Sequence, residues 1–396
     1  MQESRDSTFF FKALPFFVVA HFAHHLLTAL PTPLLPFIRS DLNLDYTQSA
    51  LVISAFIFSY GIGQLPAGWL ADRIGQRVLI TIGFCGVAVS GLLVGLSKTY
   101  TMMLVCLVLM GLAGGGYHPA ATPLISASVD PKKRGRALGI HLIGGSGSFF
   151  LSPIIAAAIA ATWGWRRSFI GLALPTAIFG IIFYIFLGRW TGSSHEQPAK
   201  TDDRDEASSI RDRMRPLVAF MVLSVLSGGM FYSSISFLPL YIVDHFGISK
   251  RTAASLLAFI YSAGLWAGPL GGYLSDRLGR VRLILATCFI SGSTVYLLNH
   301  VPYGPGLFVL LLIMGMSMFM RLVVSEAFII GQTSTRHRST VYGIFYFSSQ
   351  ESGAVFAPVL GTVIDHFGFN YGFTIASVFI IILTLICAPF LRESQD

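Results

Sequence analysis

Eight ionisable side chains lie inside stretches that are otherwise almost wholly apolar, and these are the places where chemistry can reside. They are His21, His24 and His25, then His118, His141, Arg321, Glu326 and Glu351. At bilayer depth a charged group costs roughly 2.5–3.5 kcal/mol on insertion scales, and ionisable groups kept there tend to be functional. Spacing sorts them further. His21, His25, Thr28 and Thr32 follow an i, i+4, i+7, i+11 stripe, so on one continuous helix they share a face. His118 pairs in the same way with Thr122, and Arg321 with Ser325. Arg321 and Glu326 are five residues apart, roughly 140° around a helix, which does not make an in-helix pair.

Two chemistries follow. A guanidinium presents a fixed fork suited to a carboxylate or phosphonate. Arg321 is therefore the expected anchor of an anionic substrate, set against a structural ion pair with Glu351 or Glu326. Histidine titrates near neutral pH, so His21, His25 and His118, together with Glu351, are the expected proton carriers. The bland reading of any one of these histidines is a satisfied hydrogen-bonding residue. Tyr117, His118, His25, Thr28, Tyr232, Tyr346 and Gln350 complete the expected substrate contacts. Cys85, Cys106, Cys288 and Cys387 are scattered through apolar runs without disulfide or metal-ligand spacing. No metal and no cofactor is expected.

The elements that must position these groups are set by composition. Of 396 residues, 54% are hydrophobic and 12% charged, about half the charge of a soluble domain. Lipid is therefore the expected solvent. A spanning helix needs roughly 20 mostly apolar residues, and twelve such runs are present. They lie near 13–38, 46–70, 79–97, 101–127, 137–161, 168–188, 216–242, 252–274, 282–299, 304–330, 341–364 and 371–391. The expected fold is an all-α membrane protein of twelve transmembrane helices, with a six-helix bundle over 1–188, a cytoplasmic linker over 189–215 and a second six-helix bundle over 216–396. The first apolar stretch is too long for a cleavable leader and reads as the first span.

Lys and Arg give the orientation. With the N-terminus inside, twenty of the 27 basic residues fall on the cytoplasmic side and six outside, with Arg321 within a span. Both termini are expected in the cytoplasm, in an inner or plasma membrane of bacterial type. The net charge of +8 is thus a topology signal, and no nucleic-acid partner is expected.

An offset of 204 residues relates the halves. Asp72-Arg73-Ile74-Gly75 matches Asp276-Arg277-Leu278-Gly279, and Gly111 matches Gly315. Trp163-Gly164-Trp165 meets Phe367-Gly368-Phe369. The first helix of each half slips by one, Pro36 facing Pro239. Parallel repeats of this kind are a transporter architecture, with the substrate site near the midplane.

The loop Gly68-Trp69-Leu70-Ala71-Asp72-Arg73-Ile74-Gly75-Gln76-Arg77, repeated as Gly272-Tyr273-Leu274-Ser275-Asp276-Arg277-Leu278-Gly279-Arg280, resembles the signature loop of the major facilitator superfamily. Gln76 stands where a basic residue is usual. The resemblance covers essentially the whole chain. It implies a gating latch on the cytoplasmic side that involves Asp72, Arg73, Arg77, Asp276 and Arg277. It also implies that the first and fourth helices of each half line the cavity, while the third and sixth support the fold from outside. The absence of internal Asp, Glu, Lys, Arg and His from spans three, six, nine and twelve agrees with that layout. Gly114-Gly115-Gly116-Tyr117-His118-Pro119 and the HFAHH stretch of span one are similar to the fosmidomycin-resistance-like group of drug exporters. Gly144-Gly145-Ser146-Gly147 reads as close helix packing.

The expected function is secondary active transport of a small organic solute by alternating access, coupled to protons, as a drug or metabolite exporter of antiporter type. The alternative is an importer or facilitator of an organic anion such as a carboxylate-bearing metabolite or siderophore. A channel is the non-carrier alternative. No phosphate-cradling G-x-x-x-x-G-K-S/T loop for ATP is present, and no nucleophile and base constellation marks an enzyme. The expected partners are the small-molecule substrate, protons and the lipid bilayer, with the protein acting as a monomer.

Overall fold

A backbone in lipid must satisfy every N–H and C=O internally, which leaves helices as the solution for long apolar runs. In the computed structural model, described over residues 9–130, 133–190, 210–333 and 338–391, no strand occurs among those residues. After a π-helical turn at Phe9–Ala13, the first half comprises α1 (Leu14–Thr28), α2 (Pro31–Leu42), α3 (Tyr46–Ile74) and α4 (Gln76–Leu96). It continues through α5 (Tyr100–Gly114), α6 (Tyr117–Ala127), α7 (Arg134–Trp163) and α8 (Trp165–Trp190). The second half comprises α9 (Ile210–Phe246), α10 (Lys250–Ser262), α11 (Ala267–Leu278), α12 (Arg280–Leu297), α13 (Pro305–Gln332) and α14 (Arg338–Cys387).

Among the described residues, eight of these helices are singly long and apolar enough to cross a bilayer; α1 with α2 and α5 with α6 make two more spans, and the pair α10 and α11, bent by 48°, passes together as one broken span. α14 runs 50 residues and contains Gly368 at φ 79°, a non-helical kink that divides it into two spans. The count is then the twelve read from hydropathy. Most of the linker over 189–215 lies outside the described residues.

The repeat is written into the backbone. Among the described residues, six of the seven with positive φ pair at an offset of 204: Asn43 with Gly247, Gly75 with Gly279, and Gly164 with Gly368. Each stands where a helix ends and the next begins, a left-handed position that glycine and asparagine take at least cost. The caps pair as well. Asp45 Oδ1 accepts from the Gln48 N–H at 2.6 Å, and Ser249 Oγ accepts from the Thr252 N–H at 3.2 Å. Gln48 returns a bond to the Asp45 N–H at 3.1 Å, completing a capping box. A Cβ on Gly111 would meet the carbonyl of Phe56, and one on Gly315 would meet the carbonyl of Ile260. Both clashes are with backbone, which no rotamer relieves. Gly111→Ala and Gly315→Ala are therefore each expected to destabilise the protein by about 1–3 kcal/mol, read as a lower midpoint in a thermal-unfolding scan of the purified protein. Unchanged midpoints would show that these helices are free to separate.

The chain divides into two compact units. One contains residues 1–44, 55–198 and 247–258, and the other 45–54, 199–246 and 259–396. The first has a core around Phe9, Phe17, Phe84, Tyr117, Ile125 and Phe183. The second is built around Phe220, Ile284, Cys288, Val324, Phe328 and Phe345. Within the second unit, the Asp365 carboxylate accepts from the N–H groups of Tyr46 and Thr47 at 2.8 and 2.9 Å. A carboxylate there suits the positive end of α3.

The symmetry fails at particular points. The span α1–α2 breaks at Ala29–Leu30 ahead of Pro31, and α5–α6 breaks at Gly115–Gly116, whereas α9 and α13 are continuous. In the second half the break lies instead between α10 and α11. The stripe expected from His21 to Thr32 is corrected accordingly. His21, His25 and Thr28 belong to α1, while Thr32 lies beyond the break on α2.

Candidate functional site

Three helices of the first unit bring five imidazoles together. His21, His24 and His25 come from α1, His118 from the first turn of α6 and His141 from α7. The break at Gly115–Gly116 starts α6 at Tyr117, and so sets His118 against α1. His21 and His141 stack with ring centroids 4.3 Å apart. His21 lies 5.0 Å from His25 and 5.1 Å from His118 by the same measure. Glycine makes the approach possible: a Cβ on Gly145 would strike the His21 ring, and one on Gly144 the carbonyl of Val18. The packing role read for this glycine run thus has a specific client, the His21 imidazole.

Hydrogen-bond direction fixes two tautomers. His21 Nδ1 lies 3.0 Å from the carbonyl oxygen of His141. A carbonyl only accepts, so the proton is on Nδ1 and the lone pair on Nε2. The Thr28 hydroxyl donates to the His24 carbonyl at 3.2 Å, which leaves its oxygen to accept from His25 Nδ1 at 3.2 Å. His25 Nε2 then also carries a lone pair, and His118 Nε2 stands 3.3 Å from it. Tyr117, an expected substrate contact, is fully buried, stacked on His24 at 4.6 Å with its hydroxyl unpartnered among the described residues. Thr28 is likewise buried and engaged by His24 and His25. His118, half-buried, is the open end of the cluster.

The second unit holds a different constellation. Arg321 on α13 is half-buried. Its Nη1 donates to Ser227 Oγ at 3.2 Å and approaches Cys288 Sγ at 3.8 Å. No carboxylate pairs with it among the described residues, so the ion pair with Glu351 or Glu326 that sequence left open is not formed. Glu351 on α14 is 5% exposed, and neither carboxylate oxygen has a hydrogen-bond partner among the described residues. Tyr232 on α9 is hydrogen-bonded to Tyr261 and lies near the Glu351 carboxyl group. The side chains of Tyr346 and Gln350 lie outside the described residues.

The repeat relates the two constellations. At the offset of 204, Arg321 corresponds to Tyr117 and Cys288 to Phe84. With the one-residue slip of the first helix, Ser227 corresponds to His24. Tyr117 packs on His24 and edge-on to Phe84 at 5.7 Å, and Arg321 touches Ser227 and Cys288. One socket is thus built twice, with an aromatic in the first unit and a cation in the second.

The expected gating residues occupy the loops after α3 and α11. Asp72 and Asp276 are exposed. Arg73 lies over Trp69 at 4.0 Å, and its repeat mate Arg277 lies over Tyr273 at 4.6 Å. Arg77 covers Tyr184 at 3.7 Å and donates to its carbonyl at 2.9 Å.

The model of the Major Facilitator Superfamily matches residues 17–350 and again 220–396. The chain belongs to the Major Facilitator Superfamily. Among curated members it is similar to the probable sulfoacetate transporter SauU of Cupriavidus necator. Identity is 27% over 286 residues, 67% of this chain and just under two thirds, 66%, of that protein. It is also similar to the fosmidomycin resistance protein of Escherichia coli, at 22% identity over 88% of this chain and 85% of that one. A crystal structure of a POT family transporter in complex with 5-aminolevulinic acid superposes with a TM-score of 0.83 and 13% identity. It covers 96% of this chain and 97% of that one, and speaks to the fold. This superfamily member is thus a multi-pass integral membrane protein of twelve helices.

Proposed function

We propose that this chain carries a small organic anion by secondary active transport, with Arg321 binding the anion and Glu351 moving the proton. The observation that carries the reading is the guanidinium of Arg321. At bilayer depth such a cation is expected to be paired, and here its partners are a hydroxyl and a thiol, which leaves fork valences for an anion. The similarity to a transporter named for sulfoacetate, itself an anion, supports the same substrate class. The halves 1–188 and 216–396 alternate access about the linker 189–215, with both termini in the cytoplasm of an inner membrane, and the exposed loops at Asp72 and Asp276 act as gates. The protein works as a monomer.

The direct test is a screen of organic carboxylates, sulfonates, phosphonates and cationic drugs for thermal stabilisation of the purified protein. At least one anion class is expected to raise the unfolding midpoint in proportion to the logarithm of its concentration. Stabilisation by cationic compounds alone would overturn the anion reading and favour a drug exporter.

A further inference from the structure

We propose that His21, His25 and His118 form a three-imidazole site for a divalent transition-metal cation of the zinc type. No metal was expected from the sequence: His21 and His25 stand at i and i+4 on one helix face, but the third ligand comes from a separate helix. The geometry supplies what spacing does not. One ring nitrogen from each residue lies within 4.8 Å of the others. His25 Nε2 and His118 Nε2 are 3.3 Å apart. Two imidazole nitrogens at about 2.0–2.1 Å from a tetrahedral zinc ion lie about 3.3–3.4 Å from each other. That pair already stands at ligand separation, and closing the third nitrogen requires a side-chain adjustment of His21 or a small shift of α6.

The surroundings have the form that metal histidines require. A ligating histidine almost always donates its other N–H to a carbonyl, carboxylate or water, which fixes ring and tautomer. His21 donates Nδ1–H to the His141 carbonyl, and His25 donates Nδ1–H to Thr28. Both therefore keep an Nε2 lone pair available. Without a cation, the His118 Nε2–H fills the gap by donating to His25 Nε2; with one, His118 shifts its proton to Nδ1 and offers the same lone pair. The donor set is nitrogen without carboxylate, which suits zinc, nickel or copper over magnesium or calcium. Three neutral ligands leave the fourth position and the charge of the cation for water, hydroxide or an anion. The half-buried His118 provides the way in.

Binding there would tie α1 to α6. This inference is independent of Arg321 and Glu351, and its test needs no transported substrate. Purified full-length protein, freed of any affinity tag and of metal, is titrated with zinc chloride by calorimetry. One zinc per chain is expected, with at least tenfold weaker binding in His118→Gln and in His25→Gln and unchanged binding in His366→Gln, a change at an exposed histidine. X-ray absorption at the zinc edge of the wild-type protein reads the same site without any variant, with three imidazole scatterers expected in the nearest shell. The proposal is overturned by absence of stoichiometric binding to the wild type. It is equally overturned by undiminished binding in both ligand variants, or by an edge spectrum without imidazole scattering.

Discussion

Arg321→Gln is expected to weaken binding of the transported anion by about 10- to 150-fold, the equivalent of the roughly 1.5–3 kcal/mol carried by hydrogen bonds to a charged group. The Michaelis constant in proteoliposomes reads the effect, with the amount of folded protein checked by size exclusion. Arg321→Lys keeps the charge and loses the fork, so an intermediate loss is expected. A structural role makes a different forecast. The present partners of Arg321 are Ser227 and Cys288, both neutral, so removing the guanidinium breaks no ion pair. The unfolding midpoint of the empty protein is therefore expected to move little in Arg321→Gln, while the stabilisation given by the anion disappears. A variant that lost midpoint but kept its affinity would assign Arg321 to the scaffold.

The scaffold was largely legible in the sequence because lipid leaves it few choices. Twelve runs of sufficient length appear as twelve spans, and the offset of 204 reappears in turns, caps and glycine contacts. Helix continuity was less legible. Nothing in the hydropathy of span four separates a straight helix from one broken at Gly115–Gly116. The same small residues that interrupt it also let it approach α3, where a Cβ on Gly115 would meet the carbonyl of Tyr60. The break in span one displaced Thr32 from the histidine stripe for the same reason, and Pro31 was the signal that could have found it.

The site was legible in part. Spacing placed His21 and His25 on one face, but the meeting of α1, α6 and α7 is a tertiary fact with no local signature. His24 and His141 could be noticed only as ionisable residues in lipid. Tyr117 was expected at a cavity because it lies beside His118. The structure buries it against His24 and Phe84, and the residue in the equivalent socket of the second unit, Arg321, is the half-open one. The asymmetry between the units was visible in residue types. That both types fill one repeated socket required coordinates.

Glu351→Gln is expected to abolish accumulation driven by a pH gradient while leaving exchange of substrate for substrate intact. One proton moving down a gradient of one pH unit supplies about 1.4 kcal/mol, enough for about tenfold accumulation. In the variant the accumulation ratio should fall to about one. Glu351 is suited to this work by what surrounds it. Its carboxylate oxygens have neither a donor nor a cation among the described residues, so no fixed partner holds one protonation state through the transport cycle. Glutamine keeps the shape and removes the exchangeable proton, so the two assays separate coupling from binding. Counterflow in proteoliposomes needs only binding and reorientation, and should persist at close to the wild-type rate. Accumulation equal to the wild type under an imposed gradient would remove Glu351 from the proton path. Loss of counterflow together with accumulation would instead make it part of the binding site, beside Tyr232. The histidine cluster offers an internal control. It belongs to the other compact unit, so zinc bound at His25 and His118 is expected to slow counterflow in the wild type and in Glu351→Gln alike.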